Sequence, residues 1–166
     1  MSRELRIAIL VLSDRCSRGE AVDGSGPALA GWLADQGQPE APITILPDDR
    51  NGIEEQLRSW CAKRLFDVIL TCGGTGVSLR DVTPEATLAV IDRELPGFGE
   101  AMRTESRKKS NHAIISRATA GLKDGTLVIN LPGSPRAAVE NLAAIWPAVP
   151  HCVAKAQGDN DPCAAP

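Results

Sequence analysis

Thr71-Cys72-Gly73-Gly74-Thr75-Gly76 ends the apolar run 68–72, and it is the stretch that decides the fold. An aliphatic run that breaks at once into glycines reads as a strand buried on both faces and stopped by a sharp turn. The same pattern recurs on either side of it. Residues 5–12 are almost continuously aliphatic and end at Ser13-Asp14, residues 43–46 run into Pro47-Asp48-Asp49, and residues 127–131 run into Pro132-Gly133-Ser134-Pro135. Helical patterns lie between these runs. Pro27 suits a first helical position ahead of Leu29, Ala30, Trp32 and Leu33, with Gly37 as terminator. Ile53, Leu57, Cys61 and Leu65 recur at four-residue spacing, with acids early and Lys63 and Arg64 late, as the helix dipole favours.

Further along, Thr83-Pro84 reads as a cap followed by a first-turn proline, with Leu88 and Ile91 on the buried face. A polar helix is expected over 98–109. Ser134-Pro135 opens another helix, with Val139 and Leu142 inward. Residues 15–26 read as a polar loop. Asp124-Gly125, between 118–123 and 126–131, is a tight-hairpin signal, so one antiparallel pair should join the sheet. Alternating strands and helices predict an α/β fold with a doubly wound, mostly parallel sheet. A single domain is expected over 1–158, with a polar, proline-bearing and disordered tail over 159–166.

Composition narrows the function. The chain has 166 residues, 43% of them hydrophobic, enough for one core without staples. With three Trp, two Phe and no Tyr, that core must be mainly aliphatic, which suits buried parallel strands. A net charge of -3 with mixed signs offers no basic stripe for nucleic acid. No apolar run approaches the ~20 residues of a membrane span, and the start lacks the pattern of a signal peptide, so a cytoplasmic protein is expected. The five cysteines are scattered and form no C-x-x-C pair, which reads as reduced thiols. Cys72 reads as packing, since neither His112 nor His151 is linked to it by a motif. Arg107-Lys108-Lys109 reads as a solvated helix end.

In a doubly wound sheet, ligands bind outside the carboxyl ends of the strands, where the four punctuated ends should line one edge. Glycines there let backbone N–H groups approach an anion, which points to a phosphate-bearing ligand. The loop after residue 72 is neither a dinucleotide fingerprint, since the third glycine is missing, nor a P-loop, since no Lys-Ser or Lys-Thr follows. Asp48 and Asp81 are hard oxygen donors at or beyond adjacent strand ends, and Mg²⁺ takes only one or two protein carboxylates plus phosphate and water. Each also has an ordinary reading. Asp48 or Asp49 could cap the next helix, and Asp81 could pair with Arg80. Asp14, beside Ser13, is a weaker ligand candidate.

Several linked motifs, in order, carry a family resemblance. Thr71 to Gly76, Arg80-Asp81-Val82-Thr83-Pro84-Glu85-Ala86, Asp92-Arg93-Glu94-Leu95-Pro96-Gly97-Phe98-Gly99 and Ile129-Asn130-Leu131-Pro132-Gly133-Ser134-Pro135 resemble the molybdopterin adenylyltransferase family, whose domain also forms the amino-terminal part of gephyrin. The resemblance extends over 6–146. It implies a three-layer α/β domain, a homotrimer, and transfer of AMP from ATP to the terminal phosphate of molybdopterin with release of pyrophosphate, assisted by Mg²⁺. It places metal binding and catalysis on Asp48 and Asp81. Substrate binding falls on Ser13, Asp14, Gly73, Gly74, Thr75, Gly76, Asn130, Pro132, Gly133 and Ser134, with Ser116-Arg117 in the region of the pterin phosphate and the nucleotide. The gephyrin-type fused metal-inserting activity is not expected, and the product would pass to a molybdate-inserting enzyme. Related domains occur in molybdate-inserting and competence-associated proteins, so molybdate insertion and a non-catalytic molybdopterin carrier are the alternatives. A carrier would need the loops but not the Asp48 and Asp81 pair.

Overall fold

The computed structural model describes residues 4–160. The tail positions 161–166, Cys163 among them, and residues 1–3 lie outside the described residues. The chain runs β1 (Ile7–Leu12), α1 (Asp14–Ser17), α2 (Ser25–Asp35), β2 (Ile43–Leu46), α3 (Arg50–Ala62), β3 (Val68–Cys72), α4 (Thr83–Val90), β4 (Arg93–Glu94) and α5 (Pro96–Arg107). A 3-10 turn (Asn111–Ile115) leads to β5 (Ala120–Lys123), β6 (Thr126–Leu131) and α6 (Pro135–Ile145), then a second 3-10 turn (Trp146–Ala148) and α7 (Val149–Ala156). The strands form one six-stranded sheet in the order β2-β1-β3-β6-β5-β4. The first four are mutually parallel, while β5 runs antiparallel to β6 and to β4.

Alternate strand residues feed two cores, as the pleat requires. Ile9, Val11, Leu70 and Ile129 face Leu29, Met102, Leu142 and Val153 of α2, α5, α6 and α7. Leu10, Ile69 and Val128 face Ile53, Leu57, Ala86 and Val90 of α3 and α4. Helices therefore cover both faces, giving the three layers of a doubly wound sheet. The Asp124-Gly125 turn is as its sequence implies, with φ of 52° and 84°, the left-handed pair that suits a tight hairpin. No described helix is long and apolar enough to cross a membrane.

Several local expectations need correction. Leu65 lies beyond α3, which ends at Ala62, and it is 43% exposed; the chain turns at Arg64, whose φ is 49°. Leu88 is 47% exposed, so the buried stripe of α4 is Thr83, Ala86, Thr87 and Val90. Thr83 is the first residue of α4 and not its cap; its hydroxyl donates to the Gly73 carbonyl at 2.8 Å. The expected loop 15–26 contains α1, capped by Ser13, and α2 begins at Ser25, where Asp23 accepts the first amides in place of a proline start. The two-residue strand β4 has too short a pattern to be read from sequence.

At the edge opposite the strand carboxyl ends, Asp67 ties β1 to β3 and α7. It accepts the Arg6 N–H at 2.9 Å, the Arg6 guanidinium Nη2 at 2.9 Å and the Gln157 amide at 2.8 Å. Burial pushes its carboxyl up, but these donors outweigh burial and hold it at about 2, below the usual 3.8. Stability from a depressed carboxyl is complete above the unfolded value and lost as pH falls through the folded one. Because Arg6 is half exposed, about 1–2 kcal/mol is at stake. Asp67→Asn is expected to cost that much at pH 7, with the gap to wild type closing as pH is lowered from about 4 towards 2. Chemical denaturation of both proteins across that range checks it.

Candidate active site at the carboxyl edge of the sheet

Because β2, β1, β3 and β6 are parallel neighbours, their carboxyl ends lie side by side. The loops that follow meet there. Gly73 donates its N–H to the Leu131 carbonyl at 3.0 Å, and a side chain on Gly133 would come within 3.4 Å of the Gly73 Cα. Gly73 and Gly74 have φ of 111° and 64°, which favours glycine. A Cβ on Gly74 would fall 2.3 Å from Thr83 Oγ1 and 3.2 Å from Asp48 Oδ1. Asp48 is thus directed at the glycine loop.

Two clefts flank this loop. The first, about 450 Å³, is lined by Ser13, Asp23, Asp48, Gly73, Gly74 and Asp81, with Gly133 and Cys72 at its wall. Asp48 is locked to Asp14 by a reciprocal pair: Asp48 Oδ2 accepts the Asp14 N–H at 3.1 Å, and Asp14 Oδ1 accepts the Asp48 N–H at 3.0 Å. Burial raises the Asp48 carboxyl, and the charges of Asp14 and Asp81 push the same way against the Asp14 N–H and Arg80. Asp14 is held low, chiefly by Arg80, whose guanidinium reaches it at 2.7–3.0 Å. Asp81 Oδ2 accepts the Ser78 N–H at 2.8 Å. The expected pairing of Asp81 with Arg80 is therefore absent, since Arg80 crosses to Asp14. Asp49, not Asp48, caps α3, accepting the Gly52 N–H at 2.7 Å.

The second cleft, about 300 Å³, is lined by Thr75, Gly76, Ser116, Pro132, Lys109 and His112 among others. Its apolar wall comes from Ala113 and Ile115, and Lys109 is ion-paired to Glu140 at 2.9 Å. Lys109 and His112 thus line a cleft, where their sequence context suggests plain surface groups. The only sequence signal for them is the basic cluster itself, because what brings them here is tertiary: Lys109, just after α5, pairs with Glu140 of α6, and the 3-10 turn that carries His112 packs on α5. Cys72 is buried with its thiol donating to the Pro132 carbonyl, and burial pushes it up to about 11. That is a packed thiol and not a nucleophile.

Two expected site residues have other duties. Ser134 caps α6 through its side chain. Asn130 is fully buried, accepting the Thr119 N–H at 3.3 Å and donating to Thr71 and Thr87 hydroxyls at 3.0 and 2.8 Å. The strand continues to Leu131, and the Asn130 side chain lies in the sheet's covering layer as a core polar tie. Asn130→Ala is expected to cost about 2–3 kcal/mol by leaving buried partners unpaired. Thermal melting should register this while pterin affinity stays unchanged.

A roomier depression, about 700 Å³ around Arg6, Arg64 and Asp67, lies at the opposite edge. Arg6 is consumed there by Asp67, and the strands' carboxyl ends are remote. No cluster of three or more metal-ligating side chains occurs among the described residues. Asp48 and Asp81 do fit a Mg²⁺ ion that takes its other ligands from phosphate and water. Each keeps one carboxylate oxygen without a protein hydrogen bond among the described residues, and both line the first cleft.

Residues 8–151 match the family described as "Probable molybdopterin binding domain". The chain belongs to this molybdopterin binding domain family. Among its relatives, the molybdopterin adenylyltransferase of Helicobacter pylori strain J99 is 44% identical over 151 residues, covering 90% of this chain and 86% of that protein. The Escherichia coli K12 molybdopterin adenylyltransferase is 38% identical over 168 residues, covering 93% of this chain and 86% of that one. The molybdopterin biosynthesis enzyme MoaB of Thermus thermophilus superposes with a TM-score of 0.86 at 42% identity, covering 93% of this chain and 97% of its own. In this molybdopterin-binding domain, the glycine loop between β3 and α4 thus forms the shared wall of two clefts of opposite character.

Proposed function

We propose that this chain transfers AMP from ATP to the terminal phosphate of molybdopterin. The observation that carries the reading is the pair of clefts meeting at Gly73 to Gly76, one bearing Asp48 and Asp81 and the other Lys109 and Ser116. An oxygen of the pterin's terminal phosphate attacks the α-phosphorus of ATP, the bond from that phosphorus to the bridging oxygen of the β-phosphate breaks, and pyrophosphate leaves with the electron pair. No protein nucleophile is required, so the protein's task is positioning and charge compensation. The first cleft takes the triphosphate against the glycine amides. Asp48 and Asp81 would hold Mg²⁺, which when bound would offset charge crowding between two polyanions. In the second cleft, the walls from Ala113, Ile115 and Pro132 suit a flat ring, and Lys109 and Ser116 suit its phosphate. Ser13 and Asp14 act by holding Asp48 and α1 in place.

The test is to incubate the protein with molybdopterin, ATP and Mg²⁺ and look for adenylylated pterin by mass spectrometry. Pterin bound without product would favour a carrier. The family resemblance also supports a homotrimer, and a monomer in sedimentation equilibrium at micromolar concentration would remove that part of the proposal.

A further inference from the structure

The loop that carries Asp81 has no side chain of its own in the core between residues 77 and 80. Val77 is 66% exposed and Leu79 is 99% exposed. A connection that buries nothing keeps one shape only through polar ties. Three ties are internal: Ser78 N–H to Asp81 Oδ2 at 2.8 Å, Asp81 N–H to the Ser78 carbonyl at 2.9 Å, and Arg80 N–H to the Ser78 hydroxyl at 3.3 Å. Arg80 ties the crest to Asp14, but its side chain is 63% exposed and screened by solvent.

The remaining ties converge on one residue outside the loop, Arg117, between the first 3-10 turn and β5. Its Nε donates to the Gly76 carbonyl at 2.7 Å and its Nη2 to the Asp81 carbonyl at 2.7 Å. Its Nη1 pairs with Glu85 in the first turn of α4, and its own N–H donates to the Thr75 carbonyl at 2.9 Å. One rigid fork therefore grips both ends of the exposed stretch. Three of its five guanidinium N–H groups are engaged in this way, and Arg117 is not among the residues lining either cleft, although its neighbour Ser116 lines the second.

We infer that Arg117 is a positioning residue: it fixes the backbone of the Gly76 to Asp81 loop, and through it the Asp81 carboxylate, without touching either substrate. This rests on the adenylyl-transfer reading for its catalytic consequence, but not for its structural one. A lysine cannot replace it fully, because one ammonium cannot serve three acceptors spread around a planar fork.

The test uses Arg117→Ala, Arg117→Lys, Asp81→Asn and the Arg117→Ala/Asp81→Asn double variant. Arg117→Ala should lower turnover about 10- to 100-fold with pterin affinity held within about twofold, as expected when a reacting group is misplaced and binding is not. Arg117→Lys should fall between it and wild type. The double variant should be no slower than Asp81→Asn alone, since both changes remove the same contribution. Hydrogen exchange at the Ser78 and Asp81 amides should be faster in Arg117→Ala, and Mn²⁺ affinity, read by electron paramagnetic resonance, should fall in both single variants. Losses that multiply in the double variant, or unchanged exchange at those amides, would overturn the inference. If Arg117→Ala does not fold, Arg117→Lys carries the same comparisons. If the wild-type protein makes no adenylylated pterin, the adenylyl-transfer reading fails, and exchange and Mn²⁺ binding still decide the role of Arg117.

Discussion

Asp81→Asn is expected to slow adenylyl transfer by at least about 10-fold, roughly 1.4 kcal/mol of barrier, while the fold and pterin binding survive. Asparagine keeps the size of the side chain and an amide oxygen able to accept the Ser78 N–H that Asp81 Oδ2 now takes. The local turn is therefore retained. What disappears is the negative charge a hard cation requires. The purely structural alternative, an Asp81 to Arg80 ion pair, does not exist, because Arg80 is engaged by Asp14. Melting temperature, pterin affinity and adenylylation rate measured on one preparation separate the outcomes. A correctly folded and fully active variant would remove Asp81 from the catalytic assignment and leave a carrier as the stronger reading.

Gly73→Ala is expected to be strongly destabilising for a change of one methyl group. The added Cβ would lie 2.3 Å from the Leu12 carbonyl oxygen, at a backbone φ of 111°. Neither party can yield cheaply, since Leu12 ends β1 and Val11 is paired with Cys72 in β3. The cost should be about 3–4 kcal/mol, or about a 10 °C fall in melting temperature for a chain of this length. Gly97→Ala is the control. Gly97 lies in α5 with nothing within 4 Å of a Cβ, so alanine there should be neutral or stabilising by up to about 1 kcal/mol. Equal melting temperatures for wild type and Gly73→Ala would show that the two strand ends can separate at little cost.

How far the sequence can be read depends on whether a residue's role is set by its chain neighbours. The four parallel strands are legible because each is a largely aliphatic run stopped by Ser-Asp, Pro or Gly, fully buried in β1, β3 and β6 and part-exposed in the edge strand β2, and the hairpin because Asp124-Gly125 permits so few alternatives. The carboxyl-edge location of Asp48, Asp81 and the glycine loop follows from those strands alone. Partners across space do not. Arg80 beside Asp81 suggests an ion pair, but adjacent side chains on a turn diverge, and Arg80 finds Asp14 instead. Asn130 sits in a motif of loop-forming residues, and only the register of β6 with β3, pairing Thr71 with Asn130, reveals that it is still inside the sheet. Leu88 misleads because hydrophobicity is not burial, and the short α4 turns Thr83 and Thr87 inward. Arg117 is legible as part of a motif but not as a clamp, because most of its acceptors are backbone carbonyls, which every sequence has.

The strand order also constrains how the protein is made. β6 lies between β3 and β5 near the centre of the sheet, yet it comes last in sequence among the described strands. A ribosome-bound chain that has released β1, β2 and β3 can pair β3 with β1 but lacks the strand for its other edge, which stays open and aliphatic until residues 126–131 emerge. β5 and β6 then join as a local hairpin within microseconds, so the last strand arrives already paired on one side. Closure of the sheet becomes a single late docking step between distant parts of the chain, and that step sets the folding rate. Nascent chains truncated before residue 126 should consequently depend on chaperones, whereas the finished chain should not.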